Sequence, residues 1–213
     1  MHKRVPDVVV LRLAAYRRAL REFPAGSERV SSGALAARTG YSAAQVRKDL
    51  SLFGQFGQPG VGYSVVALER ELVRIFGLDR ERRVALVGVG NLGSALLAYN
   101  GFREAGLRIV AAFDVDPRKV GGVIAGVPVR HVDELEGAVA GENIELAMIT
   151  VPAAAAQGVV DAAVRGGIKG VLNFAPAVVR VPEGVMLRST HLGAELERLS
   201  CLVNLSLAGR DEL

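Results

Sequence analysis

Apolar residues recur at helical spacing over the first 80 positions of the chain, which predicts a helical N-terminal region. The first predicted helix covers about residues 6–23, and its apolar positions share one side when each residue turns the chain by about 100°. These positions are Val9, Leu13, Tyr16 and Leu20. A second helix is predicted to begin at Ser31 or Ser32, either of which can cap it, and to end at Gly40.

The stretch SAAQVRKDLSLFG, residues 42–54, predicts a third helix with defined ends. Ser42 followed three residues later by Gln45 forms a capping-box pattern, and Gly54 is the expected C-terminal stop. One side of this helix is apolar and carries Val46, Leu50 and Phe53. The opposite side is small and positively charged and carries Ala44, Arg47, Lys48 and Ser51. That face suits the major groove of DNA, but an ordinary solvated helix surface has the same composition.

A glycine-rich stretch after the third helix, QFGQPGVGYSVVAL, predicts a tight β-hairpin. Its predicted strand residues are Val61, Tyr63, Val65 and Val66. A fourth helix is predicted over residues 67–79, ending at Gly77. Two short helices joined by a tight turn and followed by a hairpin are typical of a winged helix-turn-helix, which favours DNA binding. The predicted DNA-binding residues are Ser42, Ala44, Gln45, Arg47, Lys48, Ser51, Gln58 and Gly60.

A different pattern begins at RRVALVGVGNLGSALLAY, where a short apolar strand runs into a glycine-rich turn and then a helix. The strand is predicted over Val84–Val87, and the turn comprises Gly88, Val89, Gly90, Asn91, Leu92 and Gly93. In this context the first glycine permits the tight turn, the second lets the backbone approach a pyrophosphate, and the third lets the helix pack on the strand. The helix N-terminus adds N–H groups that favour phosphate. The pattern therefore predicts a dinucleotide-binding Rossmann fold.

Further apolar segments extend this predicted parallel sheet. The strand LRIVAAFD ends at Asp114, whose carboxylate can accept hydrogen bonds from an adenosine ribose and would repel a 2′-phosphate, which favours NAD(H) over NADP(H). Asp116 is an alternative ribose ligand two residues later. The segments IELAMITVP and GIKGVLNFAP are continuous apolar strands, typical of a buried parallel sheet. Because ligands lie beyond the carboxyl ends of such strands, the predicted cofactor neighbours are Val151, Pro152, Asn173 and Phe174.

Charge is distributed unevenly over the 213 residues. Residues 1–80 carry 13 Lys and Arg against 7 Asp and Glu, whereas residues 81–213 carry 13 against 15. A basic N-terminal part joined to a slightly acidic remainder indicates a polyanionic partner for the former. The predicted fold is therefore α/β, with a winged-helix DNA-binding domain at 1–80, a Rossmann NAD(H)-binding domain at 81–190 and a C-terminal helix at 191–213.

Other features narrow the class of protein. The single cysteine, Cys201, excludes an intrachain disulfide and is expected to be a small core residue. Asp7 and Arg12 interrupt the apolar start, so we expect neither a signal peptide nor a membrane span, and a cytoplasmic location. No metal-ligand spacing and no catalytic constellation are present in the sequence, which predicts a protein that is not an enzyme.

The segment HLGAELERLSCLVNLSLAG, residues 191–209, predicts a final helix with an apolar stripe. The stripe consists of Leu192, Leu196, Leu199, Val203 and Leu207. This helix can pack on its own domain or reach into a second subunit. A helix-turn-helix protein usually binds its half-sites as a two-fold dimer, which favours the second role and a homodimer.

Nearly the whole chain resembles the Rex family of bacterial redox-sensing repressors. The motifs QVRKDLSLFGQFGQPGVGY, VGVGNLGSAL, FDVDPRKVG and IKGVLNFAP stand in the family's order and at its spacing. The resemblance implies a homodimer with N-terminal winged helices, central NAD(H)-binding domains and C-terminal helices swapped between subunits. It also implies that NADH, in competition with NAD⁺, releases the protein from double-stranded operator DNA.

The resemblance also implies roles for individual residues. Arg47 and Lys48 match the major-groove contacts, Gly88 to Gly93 match the pyrophosphate loop, and FDVDPRKVG supplies Asp114, Asp116 and Lys119 to the cofactor. Arg18 and Tyr99 match two members of an Arg–Tyr–Asp cluster that couples cofactor state to domain orientation. We also expect Tyr99 and Phe174 near the nicotinamide.

Two positions depart from the family pattern. His191 replaces the Asp of the coupling cluster, so a charge pair with Arg18 is lost. The turn Gln58-Pro59-Gly60 lacks the usual basic residue of the wing, which should weaken DNA affinity and flatten its salt dependence.

Two other functions are compatible with parts of the sequence. A dehydrogenase with a fused DNA-binding domain would need a proton donor near the nicotinamide and a substrate pocket, and about 100 residues after Asp114 supply no convincing Lys or Tyr acid. A coenzyme A-responsive regulator is the other alternative, because related Rossmann domains bind that ligand. Asp114 argues against it, because coenzyme A carries a ribose 3′-phosphate that an acidic side chain at this position would repel.

Overall fold

A computed structural model describes residues 5–24, 26–58 and 60–208. The chain divides into two compact units, Met1–Arg80 and Glu81–Leu213. Each unit has its own buried apolar core, and each is described separately below.

Four helices build the first unit: α1 (Asp7–Arg21), α2 (Ser32–Thr39), α3 (Ala43–Ser51) and α4 (Val65–Ile75). Their apolar sides meet in one core, and the four apolar positions predicted for the first helix are all buried there. The prediction for α2 is confirmed, because Ser31 caps it by accepting a hydrogen bond from the Ala34 N–H, and Gly40 ends it at φ +74°.

The ends of α3 differ in part from the prediction. The Ser42 side chain accepts a hydrogen bond from the Gln45 backbone N–H at 3.1 Å, as expected of the cap. The reciprocal half of the capping box is absent, since the Gln45 side chain donates to Asp49 instead. Gly54 as the helix stop is wrong. The helix ends at Ser51, where the Leu52 and Phe53 N–H groups bond to carbonyls three residues back and close the last turn without a left-handed residue.

A small antiparallel sheet accompanies these helices, with strands β1 (Arg29–Val30), β2 (Gly57–Gln58) and β3 (Gly62–Ser64) in the order β1-β3-β2. The hairpin β2–β3 confirms the predicted wing, and Tyr63 is buried on it. The assignment of Val61, Val65 and Val66 to strands is wrong, because Val61 lies in the turn and the other two begin α4. Ser64 caps α4, and this local signal overrides the β propensity of the valines.

Seven strands form the sheet of the second unit. They are β4 (Arg82–Val87), β5 (Leu107–Asp114), β6 (Val123–Ile124), β7 (Val127–His131), β8 (Leu146–Ile149), β9 (Gly170–Asn173) and β10 (Met186–Ser189). Their order is β10-β9-β8-β4-β5-β7-β6, and all pairs are parallel except β6–β7. The six parallel strands have the doubly wound order of a dinucleotide-binding fold. Strands β5 and β7 are added outward on one side of β4 and the last three on the other side, so the strand order reverses between β4 and β8.

The helices of this unit follow the strands. They are α5 (Asn91–Leu97), α6 (Gly101–Glu104), a 3₁₀ turn (Val132–Glu134), α7 (Leu135–Gly141), α8 (Ala153–Arg165) and α9 (Leu192–Ala208). Buried residues of α7 and α8 cover one face of the sheet, whereas Leu97 of α5 belongs to a smaller cluster on the other face. The predicted α/β fold class is confirmed.

None of the described residues of the last helix, α9, belongs to these cores. The described side chains of α9, residues 192–206, are all exposed, including those of the apolar stripe from Leu192 to Val203. The expected core position of Cys201 is wrong, because its side chain is exposed as well. The helix therefore presents apolar surface that the single chain does not cover.

Candidate functional site

The exposed face of α3 lies beside the wing in the first unit. Ala44, Arg47, Lys48 and Ser51 are all exposed, as the sequence predicts. A groove of about 450 Å³ separates α3 from the β2–β3 hairpin. Its walls include the predicted Arg47, Ser51, Gln58 and Gly60 together with Ser31 and Ser32. Pro59 lies outside the described residues.

Hydrogen bonds within the unit already orient parts of this surface. The Arg47 Nη1 donates to Ser32 Oγ at 2.9 Å, and the Ser51 hydroxyl donates to the Lys48 carbonyl at 2.7 Å. Ser32 was missed by sequence reasoning, because its only local signal was that of a possible helix cap. The contact places a hydroxyl group from the N-terminus of α2 next to the guanidinium of the recognition helix.

A buried ionic network underlies α3 and was also missed. Asp49 is 1% exposed and lies on the side of α3 that faces α1. Its carboxylate accepts two hydrogen bonds from the Arg12 guanidinium, Nε to Oδ2 at 2.6 Å and Nη2 to Oδ1 at 2.7 Å. The Tyr16 hydroxyl donates to Oδ2 at 2.8 Å, and the Gln45 side-chain amide donates to Oδ1 at 2.7 Å. Each carboxylate oxygen therefore accepts two hydrogen bonds.

This network shifts the pKa values of Asp49 and Tyr16. Burial on its own would raise the pKa of Asp49, but the hydrogen bonds from Arg12, Tyr16 and Gln45 outweigh burial and lower it below its ordinary value of 3.8. Burial and the bond to Asp49 raise the pKa of Tyr16. Asp49 is therefore a stable anion whose charge Arg12 balances, which leaves Arg47 and Lys48 as the cations of the exposed face.

In the second unit, three glycines shape the turn between β4 and α5 in different ways. Gly88 has φ +97°, and an added Cβ would lie 2.7 Å from the Thr150 carbonyl oxygen. A Cβ on Gly93 would lie 2.0 Å from the Gly88 carbonyl oxygen, so only glycine lets α5 approach the strand this closely. Gly90 faces open space, with no atom within 4 Å of an added Cβ. The turn thus leaves a clear approach to its backbone at the middle glycine.

Thr150 holds the same turn from the end of β8 and was not predicted. Its hydroxyl group lies 2.6 Å from the Gly88 carbonyl oxygen and 3.0 Å from that of Val87. These contacts join the carboxyl ends of β4 and β8, at the point where the strand order reverses.

Asp114 fixes the turn from the other side. Its Oδ2 accepts a hydrogen bond from the Val89 N–H at 2.7 Å, and its Oδ1 accepts one from the Asp116 N–H at 2.9 Å. Lys119 Nζ lies 3.2 Å from Oδ2. Burial would raise the pKa of Asp114, but these hydrogen bonds and the Lys119 charge lower it. The Asp116 carboxylate accepts from the Arg118 backbone and guanidinium, and these contacts lower its pKa too.

A cavity of about 540 Å³ opens at the carboxyl ends of β4, β5 and β8. The predicted cofactor residues that line it are Gly88, Gly90, Leu92, Asp114, Lys119, Val151, Pro152 and Phe174. Additional wall residues that sequence reasoning missed include Val115, Val132, Thr150, Ala155, Val159 and Pro176. The predicted residues that do not line it are Val89, Asn91, Gly93, Tyr99, Asp116 and Asn173. The cavity lining is therefore largely apolar, and its charged groups are the Asp114 carboxylate and the Lys119 ammonium group.

Asn173 is near the cavity but turned away from it. The residue is fully buried, and its amide donates to the Ala177 carbonyl at 3.0 Å while its Oδ1 accepts from the Ala175 N–H at 3.0 Å. These bonds fold the loop after β9 on itself. The side chain therefore holds Phe174 and Pro176 at the cavity wall, and a direct contact of Asn173 with a ligand has no support in this geometry.

The three predicted coupling residues belong to different elements of the chain. Arg18 is exposed on α1 in the first unit. Tyr99 is 60% exposed and packs edge-on against Phe102, with 5.0 Å between ring centroids. Tyr99 borders one depression and Phe174 lines a different cavity, so their meeting at one nicotinamide site stays a prediction. His191 is half-buried just before α9.

The cavity offers binding groups rather than a reaction centre. Among the described residues, no three His, Cys, Asp or Glu side chains cluster in a way that could hold a metal ion. No histidine, cysteine or tyrosine stands among the described lining residues to act as an acid or nucleophile. The arrangement of glycine turn, carboxylate and apolar walls is that of a recognition site.

Comparisons with known proteins match both parts of the chain. A family described as a CoA binding domain matches residues 79–177, and one described as a putative DNA-binding protein N-terminus matches residues 4–51. The redox-sensing transcriptional repressor Rex of Thermus thermophilus is 48% identical over 198 residues, which cover 92% of this chain and 93% of that protein. Rex of Syntrophomonas wolfei is 46% identical, with 92% and 94% covered.

Solved structures give the same result. RSP, described as a Rex-family repressor, in complex with β-NAD⁺ and operator DNA matches with a TM-score of 0.91 and 36% identity, over 98% of this chain and 97% of that one. RSP in complex with β-NADH matches with a TM-score of 0.87 and 33% identity, over 99% and 100%. With 46–48% identity to curated Rex proteins along nearly its whole length, the chain belongs to the Rex family of redox-sensing transcriptional repressors.

Proposed function

We propose that this protein is a transcriptional repressor that binds operator DNA through α3 and the wing and leaves it when NADH occupies the cavity of the second unit. The observation that carries the proposal is the presence, in one chain, of an exposed Arg47–Lys48 face and a glycine-turn cavity without catalytic groups. RSP, a member of the same family, is known in complex with NAD⁺ and operator DNA and with NADH. The protein acts by recognition and is not an enzyme.

The residues of the cavity fit a nicotinamide dinucleotide. The open space at Gly90 admits a pyrophosphate to the backbone of the turn, and the α5 N-terminus favours its charge. Within the described residues the Asp114 Oδ1 accepts one hydrogen bond, from the Asp116 N–H, so its second lone pair can accept a ribose hydroxyl while the carboxylate holds the turn. Asp114 rather than Asp116 is our choice of ribose ligand, because only the former lines the cavity. Phe174 and Pro176 form the apolar wall for the nicotinamide.

We propose linkage as the mechanism of release. If operator DNA prefers one arrangement of the dimer and NADH another, each ligand lowers the affinity of the other by the same factor. NADH and NAD⁺ differ at the nicotinamide by a hydride and one charge, so the discrimination arises beside that ring. Arg18, Tyr99 and His191 are the candidate residues that transmit it, each from a separate element.

The functional unit is proposed to be a homodimer. Its support is the apolar stripe of α9, in which Leu196 and Leu199 are 69% and 56% exposed. A second copy of the chain would cover this stripe by exchanging the helix. Two winged helices related by a two-fold axis would then reach two half-sites of a palindromic operator.

The proposal predicts release by one cofactor only. Purified protein is titrated onto a palindromic duplex at fixed salt, and NADH or NAD⁺ is then added. We expect NADH to displace the protein and NAD⁺ to leave it bound. If both cofactors leave the DNA affinity unchanged, the sensing function is wrong, whereas failure to bind any operator-like duplex would overturn the repressor itself.

The two alternative functions have distinct signatures. A dehydrogenase would transfer hydride from NADH to a carbonyl substrate and would need a proton donor beside the ring. The Lys119 ammonium group of the lining is instead paired with Asp114 at 3.2 Å, which does not support this function. A coenzyme A sensor is suggested by the name of the family that matches residues 79–177. The anionic Asp114 at the cavity would repel the 3′-phosphate of coenzyme A, so we expect coenzyme A not to compete with NADH.

A repressor of this kind acts where the chromosome is, so we propose the cytoplasm as its location. In the part of the chain that the structure describes, no helix is long and apolar enough to cross a membrane.

A further inference from the structure

Two charged residues beside the cavity of the second unit, Asp116 and Arg118, have no role in the recognition of NADH proposed above. Both belong to the loop that follows β5, which ends at the proposed ribose ligand Asp114. The Asp116 N–H donates to Asp114 Oδ1 at 2.9 Å, so this loop begins directly at the expected ribose position. Neither Asp116 nor Arg118 is among the described residues that line the cavity. Any effect of theirs on a cofactor is therefore exerted from just outside the cavity wall.

The side chains of Asp116 and Arg118 form a bidentate ion pair. Arg118 Nε donates to Asp116 Oδ1 at 3.0 Å, and Nη2 donates to Oδ2 at 2.8 Å. The Arg118 backbone N–H also donates to Oδ1, at 3.0 Å. Because the Arg118 side chain is 88% exposed, it is held in place chiefly by this carboxylate. Removing the charge of Asp116 would leave a mobile guanidinium beside the ribose position.

Positive and negative charges are balanced in this loop. Lys119 Nζ lies 3.2 Å from Asp114 Oδ2 and 3.9 Å from Asp116 Oδ2. Residues 114–119 thus carry two carboxylates and two cations, each cation within an ion pair. A ribose with free hydroxyl groups is compatible with this balance, whereas a 2′-phosphate brings further negative charge towards both carboxylates. Rossmann domains that accept the 2′-phosphate do so with an arginine near this position, and Arg118 is a side chain of that kind.

We infer that Asp116 excludes the ribose 2′-phosphate of NADP(H) by pairing with Arg118, which would otherwise bind that phosphate. The inference rests on the proposed binding of NADH and names a residue that determines its specificity. The Nη1 atom of Arg118 donates to no described residue, so the ion pair acts through charge and position and does not use up the donors. A phosphate that approached the paired guanidinium would also meet the carboxylate, whose repulsion offsets the attraction. Asp116 is therefore a positioning residue.

Asp116→Asn tests this role, because it removes the charge and keeps an oxygen that can accept from the Arg118 backbone N–H. NADH and NADPH are titrated separately onto the full chain, and binding is followed by the fluorescence of the reduced nicotinamide. We expect the ratio of NADPH affinity to NADH affinity to rise about tenfold, since the released guanidinium can form charge-assisted hydrogen bonds with the 2′-phosphate.

Two further variants separate the role of Arg118 from a general effect of charge. When Asp116→Asn is combined with Arg118→Gln, no guanidinium remains, and the affinity ratio should return to within about threefold of that of the unmodified protein. Glu136→Gln is the matched control, because it removes a carboxylate from an exposed ion pair with Arg165 in the same unit. Neither residue of this pair lines the cavity, so the ratio should stay unchanged.

Several outcomes would overturn the inference. If the unmodified protein binds NADPH as tightly as NADH, no exclusion exists to be explained. An unchanged ratio for Asp116→Asn would mean that Asp116 does not determine it. An equal rise in the single and the double variant would mean that Arg118 takes no part. Absence of NADH binding by the unmodified protein would instead reject the proposed function, and this inference with it.

Discussion

At the scale of single residues, Asp49 shows how a charge can be buried beneath the proposed DNA-binding surface. An unpaired buried carboxylate would be costly, but Arg12 and two further donor groups, the Tyr16 hydroxyl and the Gln45 amide, satisfy both oxygens. The same contacts hold α3 against α1. Because the anion is neutralised and faces inward, it does not oppose the phosphates that Arg47 and Lys48 are expected to meet.

Replacing Asp49 should destabilise the first unit in a pH-dependent way. Asp49→Asn leaves the Arg12 guanidinium partly buried without its counter-ion, which should cost about 3 kcal/mol of unfolding free energy at pH 7. Because the folded pKa of Asp49 lies below 3.8, the stabilisation is complete above that pH and is lost as the pH falls through the folded pKa. Urea unfolding followed by circular dichroism at pH 7 and pH 3 measures both effects.

The matched control for this prediction is Glu71→Gln on α4, which breaks an exposed pair with Arg74. It should change stability by less than about 0.5 kcal/mol at either pH. An equal loss for Asp49→Asn and the control, or a gap between Asp49→Asn and the unmodified protein that does not narrow at pH 3, would contradict the assignment.

The residues that sequence reasoning missed are those whose partners are distant in the chain. Ser31 and Ser42 were predicted as caps because a cap depends on residues three positions away. The Arg12–Asp49 pair spans 37 positions, and the Thr150–Gly88 contact spans 62. No local pattern reports such pairs, so neither Asp49 nor Thr150 was singled out from the sequence.

At the scale of elements, the strand–turn–helix around Gly88 was predictable because its glycines serve local geometry. Continuous apolar runs identified β4, β5, β8 and β9, since parallel strands are covered on both faces. The end of the wing was predicted less well. Two valines expected in a strand, Val65 and Val66, instead begin α4, because Ser64 caps that helix. Asn173 was predicted as a cofactor neighbour because it ends β9, but the position of a strand end does not tell in which direction the side chain points.

The glycine turn yields a prediction that separates binding from folding. In Gly90→Ala the new methyl group meets open space at an ordinary φ of −81°, so stability should change by less than about 0.5 kcal/mol. The methyl group would occupy the approach of the pyrophosphate, and NADH affinity should fall by about tenfold or more. NADH fluorescence titration and thermal melting measure the two quantities.

Gly93→Ala is the contrasting variant. Its Cβ would lie 2.0 Å from the Gly88 carbonyl oxygen, so the turn must shift, and the melting temperature should fall by several degrees at a cost of about 2 kcal/mol. If Gly90→Ala instead melts earlier than Gly93→Ala, or binds NADH as well as the unmodified protein, the assignment of the two glycines is wrong.

At the scale of the whole molecule, α9 is the element that the single chain leaves unexplained. The sequence predicted the helix and its stripe from periodicity alone, but which surface covers the stripe depends on a second molecule. Leu192, Leu196, Leu199 and Val203 are each at least half exposed. A helix with this much uncovered apolar surface indicates an interface.

A charge on the α9 stripe should therefore separate the proposed dimer. Leu199→Glu places a carboxylate in the expected interface, and sedimentation should show a monomer in place of a dimer. Operator affinity should fall roughly a hundredfold or more, because the two half-sites are no longer bound together. Ala194→Glu adds the same charge on the opposite side of the helix and should leave the dimer intact. Retention of the dimer by Leu199→Glu, or dissociation by both variants, would rule out this interface.

Operator DNA and NADH are proposed to bind the same molecule antagonistically. Linkage requires that the factor by which saturating NADH weakens operator binding equals the factor by which saturating operator weakens NADH binding. Both constants are measured on the full chain at one salt concentration, with NAD⁺ as the comparison cofactor. We expect equal factors of at least tenfold for NADH and a much smaller one for NAD⁺. An operator affinity that NADH leaves unchanged would contradict it.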